Sequence, residues 1–97
     1  MNKVLVGFNS REGLELEKLL PETEGKIKKY LNEIIAEASA ALAHTNENDE
    51  EAAGADTAML SILYMEPDEE FIAFCRMHEN EYGALREILF DLESSDE

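Results

Sequence analysis

Cysteine, basic residues and long apolar runs are scarce in this chain, and each shortage excludes a class of protein. The single cysteine, Cys75, excludes an internal disulfide framework. No apolar run approaches the roughly 18 residues that a membrane-spanning helix needs. The apolar stretch near the N-terminus is also too short to serve as the core of a secretory signal. These shortages together predict a protein of a reducing, cytoplasmic compartment.

Positive charge is the scarcest property of the chain. Its 97 residues include 8 Lys and Arg against 23 Asp and Glu, which gives a formal net charge of −15. Residues 1–31 hold six of the basic residues and only five acids, so residues 32–97 carry a net charge of −16. Because like charges repel, direct binding to nucleic acid or to an anionic membrane is not expected. The charge favours a partner protein with a basic surface, and a solvated acidic coat without a partner is the alternative.

Catalytic and metal-binding motifs are also missing. The chain has no Gly-rich phosphate loop, no Gly-x-Ser-x-Gly and no Glu-x-x-His. Cys75, His78 and His44 together supply three ligands, whereas a structural zinc site uses four at a recognised spacing. Acidic surroundings raise the pKa of a thiol and so disfavour a nucleophilic role for Cys75. Residues 46–50 alternate oxygen ligands as a calcium loop does, but the required Gly and Glu positions do not match. We therefore expect no enzyme, no metal and no cofactor.

The first part of the chain indicates a short extended segment followed by two helices. Residues 3–8 are apolar and partly β-branched, as in a buried strand or an extended arm. Ser10 is the expected N-cap of a short helix that ends at Pro21. A second helix is predicted over residues 22–43 from apolar residues spaced three and four apart. That apolar stripe contains Ile27, Tyr30, Leu31, Ile34, Ile35, Ala38 and Leu42.

The second part begins with an acidic segment, at about residues 45–56, that is expected to be a mobile loop. Residues 59–65 are apolar on nearly every side, which fits either a buried helix or a strand, and the helix is preferred. A last helix is predicted from Glu66 to Glu93, and a break near residues 80–83 is compatible with its pattern.

The expected fold is a mostly α protein, a small helical bundle with a short N-terminal extended segment. The alternative is an α+β fold in which residues 3–8 and 58–65 pair as strands, since a lone short strand is not stable. No internal repeat or domain boundary is visible, so residues 1–97 are expected to form a single small acidic domain.

Acids are also concentrated where they oppose the dipole of the last helix. Asp91 and Glu93 lie near its C-terminal end, which favours cations, so their placement indicates a use for the negative charge itself. Glu79, Glu87 and Asp91 are expected on the outer face of this helix. The residues expected to bind a partner are Glu47, Asp49, Glu50, Glu51, Glu69, Glu79, Glu81, Glu87, Asp91 and Glu93.

Charge and size together favour a protein antagonist that binds the basic nucleic-acid-binding surface of an enzyme or regulator. Such nucleic-acid mimics include phage anti-restriction and anti-CRISPR proteins and nuclease immunity proteins. The last helix alone carries about one acid per 5 Å, which is sparser than the charge of duplex DNA at about 1.7 Å. Mimicry would therefore also need the acidic loop or a homodimer. The alternative is an acidic chaperone or antitoxin-like adaptor that binds a partner segment through an apolar helical groove.

Overall fold

The structure, a computed structural model, describes residues 3–48, 60–66 and 68–94. In chain order its elements are β1 (Val4–Asn9), α1 (Ser10–Leu14), a 3-10 helix (Glu15–Glu22), α2 (Gly25–Asn48), β2 (Leu60–Met65), α3 (Glu69–His78) and α4 (Gly83–Ser94). The prediction of a mostly α protein with a short extended segment is confirmed. Within the described ranges, no helix combines the length and the apolar character needed to cross a membrane.

The two strands pair with each other in antiparallel register. Val4 lies opposite Met65, and Asn9 lies opposite Leu60. The strand pairing that the alternative included is therefore present within the mostly α fold, and the preference for a helix is wrong over residues 60–65. The segment has the alternation of a strand, because Ser61 and Met65 are buried while the residues between them are more exposed. β1 supplies the pairing partner that makes this short strand stable.

Asn9 starts the first helix, one residue before the predicted cap. Its side-chain Oδ1 accepts hydrogen bonds from the backbone N–H of Arg11, at 2.9 Å, and of Glu12, at 3.2 Å. Ser10 is buried instead, and its hydroxyl makes a hydrogen bond with the hydroxyl of Ser61. This bond ties the start of α1 to β2. The chain then continues as the 3-10 helix, and Pro21 lies inside it.

The long helix α2 begins at Gly25, later than predicted, and extends through Asn48, beyond the predicted end. Gly25 has a φ of +67°, a left-handed conformation that glycine adopts at low cost, and so the chain can turn before the helix. The predicted stripe does face the core, where Leu31, Ile34 and Ala38 are buried. Of the expected acidic loop, residues 45–48 belong to α2 and residues 49–56 lie outside the described residues.

The segment predicted as the last helix forms two helices. The interruption between them lies near residues 80–83, where the sequence pattern is compatible with a break. The side chain of Asp68 caps α3 by accepting the backbone N–H of Glu70 at 2.7 Å. The chain turns after His78 and resumes as α4 at Gly83. The acids of this segment are therefore divided between two helices, and their spacing along a single continuous helix does not describe the molecule.

The core lies between the inner face of the sheet and the helices. α4 packs along β1, α2 packs against α1 and β2, and α3 packs against α4. The largest fully buried apolar side chains come from β1, the 3-10 helix, α2, α3 and α4. They are Phe8, Phe71, Leu16, Leu31, Ile34, Leu85, Ile88, Val6 and Cys75. The helices thus cover one face of the sheet, and the apolar side chains on its other face are exposed.

Candidate functional site

The uncovered face of the sheet carries exposed apolar side chains, and we call it the outer sheet face. It consists of Leu5, Gly7, Leu60, Ile62 and Tyr64. Leu5 lies opposite Tyr64 and Gly7 lies opposite Ile62, so these four residues are oriented toward the same face of the antiparallel pair. The exposed fractions are 49% for Leu5, 63% for Leu60, 49% for Ile62 and 64% for Tyr64. Apolar patches of this kind mark interaction surfaces more often than single exposed residues do.

A groove runs beside this face, between β2 and α4, and we call it the Gly7 groove. Its volume is about 670 Å³, and its apolar walls are Leu60 and Phe90, of which Phe90 is 70% exposed. Gly7 forms part of the floor, where a Cβ atom would lie 3.4 Å from the Cδ1 of Leu60. The absence of a side chain at residue 7 therefore leaves room for a side chain from elsewhere. The remaining lining residues are Asn9, Arg86, Glu87 and Asp91.

Two carboxylates of α4 close the edge of β1 that does not face β2. Asp91 Oδ2 accepts the backbone N–H of Gly7 at 2.7 Å. Glu87 Oε1 accepts the backbone N–H of Asn9, also at 2.7 Å. Glu87 is exposed on α4, as expected for the outer face, whereas Asp91 is half-buried, and both carboxylates bond to β1. Hydrogen bonds to charged groups are stronger than neutral ones, so these acids have a structural role that explains their position against the helix dipole.

The same edge holds a pair of neighbouring carboxyl groups, Glu12 and Glu87. One oxygen of Glu12, Oε1, is buried without a hydrogen-bond partner among the described residues. Burial raises the pKa of Glu12, and the negative charge of Glu87 and a shared hydrogen bond with it raise that pKa further. The positive charge of Arg86 opposes this rise in pKa. This end of the groove is therefore acidic, and Glu12 holds its proton more tightly than an exposed glutamic acid does.

The acids predicted to bind a partner do not form one continuous surface. Glu69 is exposed in the first turn of α3, and Glu79 is half-buried just beyond its end. Glu81 lies 3.1 Å from His78 Nδ1, and Glu93 pairs with Arg76. Glu87 and Asp91 bond to β1, as described. The side chain of Glu47 and the residues Asp49, Glu50 and Glu51 lie outside the described part of the chain. A binding role for these acids stays a prediction.

Cys75 and His78 have the surroundings of core residues. The Cys75 side chain is fully buried, and burial, followed by the charge of Glu79, raises the pKa of its thiol to about 12. A thiol with such a pKa is almost entirely protonated at neutral pH and is a weak nucleophile. The His78 ring stacks on Phe74, with a centroid distance of 4.6 Å. Among the described residues, no group of three His, Cys, Asp or Glu side chains is arranged to hold a metal ion.

The sequence interpretation missed the apolar residues that now define the site. Leu60, Ile62 and Tyr64 belong to a segment that is apolar on nearly every side, and Phe90 lies in the predicted last helix, where the sequence marks only acids as partner-binding residues. The signal for the β2 residues was the alternation around Ser61, which places a small polar residue inside and apolar residues outside. Phe90 could have been found from the helical period, since it faces away from Leu85, Leu89 and Leu92.

Comparison with family models, with curated proteins and with solved structures finds no match to this chain. The proposals that follow are therefore based on the geometry and the charge of the molecule.

Proposed function

We propose that this protein is a binding protein that acts as an adaptor, and that it engages a basic partner protein through the outer sheet face and the Gly7 groove. The observation that carries the proposal is an exposed apolar face on a chain whose formal net charge is −15. Apolar side chains at the centre of an interface supply most of its affinity. The surrounding charge speeds encounter with a basic partner and disfavours acidic ones.

This proposal follows the adaptor interpretation but moves the contact surface from a helical groove to the sheet. The helical stripes are occupied by the core, where Leu31, Ile34, Leu85 and Leu89 are buried. Apart from Met77 on α3, the large exposed apolar side chains of the described residues are on the strands and at Phe90. The proposal includes a cytoplasmic location, which follows from the single cysteine and the lack of a disulfide framework. It involves no catalytic step, metal or cofactor.

A second candidate is the nucleic-acid-mimic antagonist, favoured by the net charge of −16 over residues 32–97. Its partner would be a nucleic-acid-binding enzyme or regulator, of the kind that phage anti-restriction or anti-CRISPR proteins and nuclease immunity proteins inhibit. The two candidates differ in what holds the complex together. An electrostatic complex weakens steeply as salt is added, whereas an apolar one tolerates salt and has a negative heat capacity of binding.

The test is affinity capture of partners followed by titration of the captured protein. The double variant Tyr64→Ser with Phe90→Ser removes exposed apolar groups from the face and the groove. Met77→Ser is the matched control, because Met77 is 75% exposed but lies on α3. We expect the double variant to bind at least about tenfold more weakly than wild type, equivalent to about 1.4 kcal/mol, and Met77→Ser to bind like wild type.

Each of these measurements is repeated at low salt and at about 0.5 M sodium chloride. Binding that survives high salt and depends on Tyr64 and Phe90 supports the adaptor. Binding that is abolished by salt and unaffected by the double variant contradicts it, and then the mimic becomes the leading candidate. Circular dichroism confirms that each variant is folded.

A further inference from the structure

The two edges of the small sheet are treated differently by the rest of the molecule. In β1, the backbone N–H groups of Gly7 and Asn9 point away from β2, toward Asp91 and Glu87. Backbone direction alternates along a strand, so the pairs Val6 with Leu63 and Phe8 with Ser61 are the ones that bond across the sheet. It follows that the N–H and C=O groups of Leu60, Ile62 and Tyr64 point away from β1.

These outward groups form an open edge, which we call the β2 edge. Among the described residues, no backbone or side-chain group makes a hydrogen bond to the backbone of Leu60, Ile62 or Tyr64 on that side. Natural proteins usually protect such edges with a charged residue, a proline or a bulge. The sequence of β2, Leu-Ser-Ile-Leu-Tyr-Met, contains none of these protecting residues. The opposite edge of the sheet, by contrast, is closed by two carboxylates.

The same three residues also present the apolar face. Leu60 and Tyr64 are more than 60% exposed, and Ile62 is about half exposed. A strand added at the β2 edge would gain backbone hydrogen bonds from these residues and would place every second side chain beside them on the outer sheet face. Backbone pairing and apolar contact are therefore available to one occupant at the same place.

The net charge of the chain favours a basic segment over a second copy of the chain as the occupant of the β2 edge. A second copy would bring another formal charge of −15, whereas a basic segment is attracted. The surroundings of the β2 edge are mixed at the Tyr64 end, where Lys3, Lys26 and Lys29 lie with Glu33 and Glu66 around a cavity. At the Leu60 end, Glu87 and Asp91 lie with Arg86 along the groove. Attraction of a basic segment therefore comes from the field of the whole molecule and not from one ion pair.

We infer that the partner contributes an extended segment, apolar at alternate positions and rich in Lys or Arg, which adds as a third strand at the β2 edge. This inference rests on the proposed function, because it specifies how the partner occupies the same site. Backbone hydrogen bonds supply affinity, and the alternate apolar side chains pack on Ile62 and Tyr64.

The probe is a displayed library of random eight-residue peptides, selected on the wild-type protein. We expect the selected peptides to alternate apolar residues and to carry Lys or Arg. Methylation of alternate backbone nitrogens in a synthetic copy should weaken binding at least tenfold in one register and have little effect in the other. Selected peptides without alternation, or failure to enrich any peptide, would contradict strand addition, as would equal tolerance of methylation in both registers.

The matching change in the protein is Ile62→Pro, with Ile62→Val as control. The N–H of Ile62 points away from β1, so proline removes an edge donor without removing a bond of the sheet. Ile62→Val keeps that donor and the apolar side chain. We expect Ile62→Pro to bind the selected peptide at least tenfold more weakly than Ile62→Val. The methylated peptides give the same information if Ile62→Pro does not fold.

The outcomes separate the two proposals. Loss of binding in the Tyr64→Ser, Phe90→Ser double variant but not in Ile62→Pro or with methylated peptides overturns strand addition and leaves the proposed function standing. Equal binding by all variants overturns both. Sedimentation equilibrium at about 0.15 M sodium chloride tests the second copy as occupant. A dimer that Ile62→Pro dissociates would overturn the choice of a basic segment.

Discussion

At the scale of single residues, two glycines have different reasons to be glycine. A side chain at residue 13 would clash with its neighbours, because a Cβ atom there would lie 2.9 Å from Phe8 Cε2 and 3.1 Å from the Cβ of Ala38. Phe8 is fully buried, so it has little freedom to move aside. Gly7 lies on the floor of the groove, where the nearest atom to an added Cβ is 3.4 Å away, an ordinary contact. Gly13 is therefore required by the packing of the core, whereas Gly7 leaves space in the groove.

Gly13→Ala should destabilise the protein by about 1–3 kcal/mol, because the added methyl group overpacks the core. Gly7→Ala is the matched control, and we expect it to be neutral or stabilising by up to about 1 kcal/mol, since alanine costs less backbone entropy in a strand. Urea denaturation of both variants measures the difference. Equal stability of the two variants would contradict this account of the core.

Glu12 makes stability depend on pH. Burial and the neighbouring Glu87 raise the pKa of Glu12 in the folded protein above its ordinary value of 4.5. The folded state therefore holds a proton that the unfolded state has already lost, and stability falls as the pH rises through the raised pKa. This contribution is fully present below the ordinary pKa of 4.5 and is lost as the pH rises through the raised pKa of the folded protein.

Glu12→Gln removes this dependence, and Glu17→Gln is the control, because Glu17 is exposed on the 3-10 helix and does not shift the pKa of Glu12. Relative to wild type, Glu12→Gln should become more stable as the pH rises through the raised pKa of Glu12, because the variant has no carboxyl group to ionise there. Urea denaturation at several pH values measures the difference. A difference that is constant with pH, or that moves in favour of wild type, would contradict the assignment.

At the scale of elements, α4 stabilises the sheet through side chains that the sequence presents as surface acids. Asp91→Ala removes the acceptor of the Gly7 N–H and leaves that partly buried donor unpaired. We expect a loss of about 1–3 kcal/mol in the free energy of unfolding. Glu93→Ala makes the same change of charge two residues later, where the pair with Arg76 is exposed, and should cost under about 1 kcal/mol. Similar losses in both variants, measured by urea denaturation, would argue against a special role for Asp91.

The helices were predictable from the sequence because their signals are local. The stripe through Leu31, Ile34 and Ala38 repeats at the helical period, and Asp68 is a cap of ordinary type. Element ends were less predictable, since Asn9 and Ser10 are both good caps and only the contact of Ser10 with Ser61 decides between them.

The strand β2 was not predictable with the same ease, because its pairing partner lies more than 50 residues away along the chain. Its pattern fits a buried helix equally well until β1 is placed beside it. The candidate site was missed for a related reason. Charge is visible in composition, whereas an exposed apolar face becomes visible only when the register assigns Ile62 and Tyr64 to the side away from the helices.

At the scale of the whole molecule, the formal net charge of −15 opposes the compact state. Among the described residues few ion pairs offset this charge, and the cations Lys26 and Arg76 are largely exposed in their pairs with Asp68 and Glu93. We therefore expect the melting temperature to rise from low salt to about 0.15 M sodium chloride, where the screening length falls to about 8 Å. Potassium chloride should give the same rise, which excludes a specific ion. A melting temperature that falls over this range would contradict the expectation.

Among the described residues, the sheet is closed on its β1 side by two carboxylates and is open along β2. Amide hydrogen exchange, followed residue by residue by NMR, tests it in the isolated protein. Gly7 and Asn9 should be protected by the carboxylates of α4, and Leu63 by its bond across the sheet. The amides of Ile62 and Tyr64 should exchange at least about tenfold faster than that of Leu63. Protection of Ile62 and Tyr64 equal to that of Leu63 would show that the edge is covered and would contradict the account.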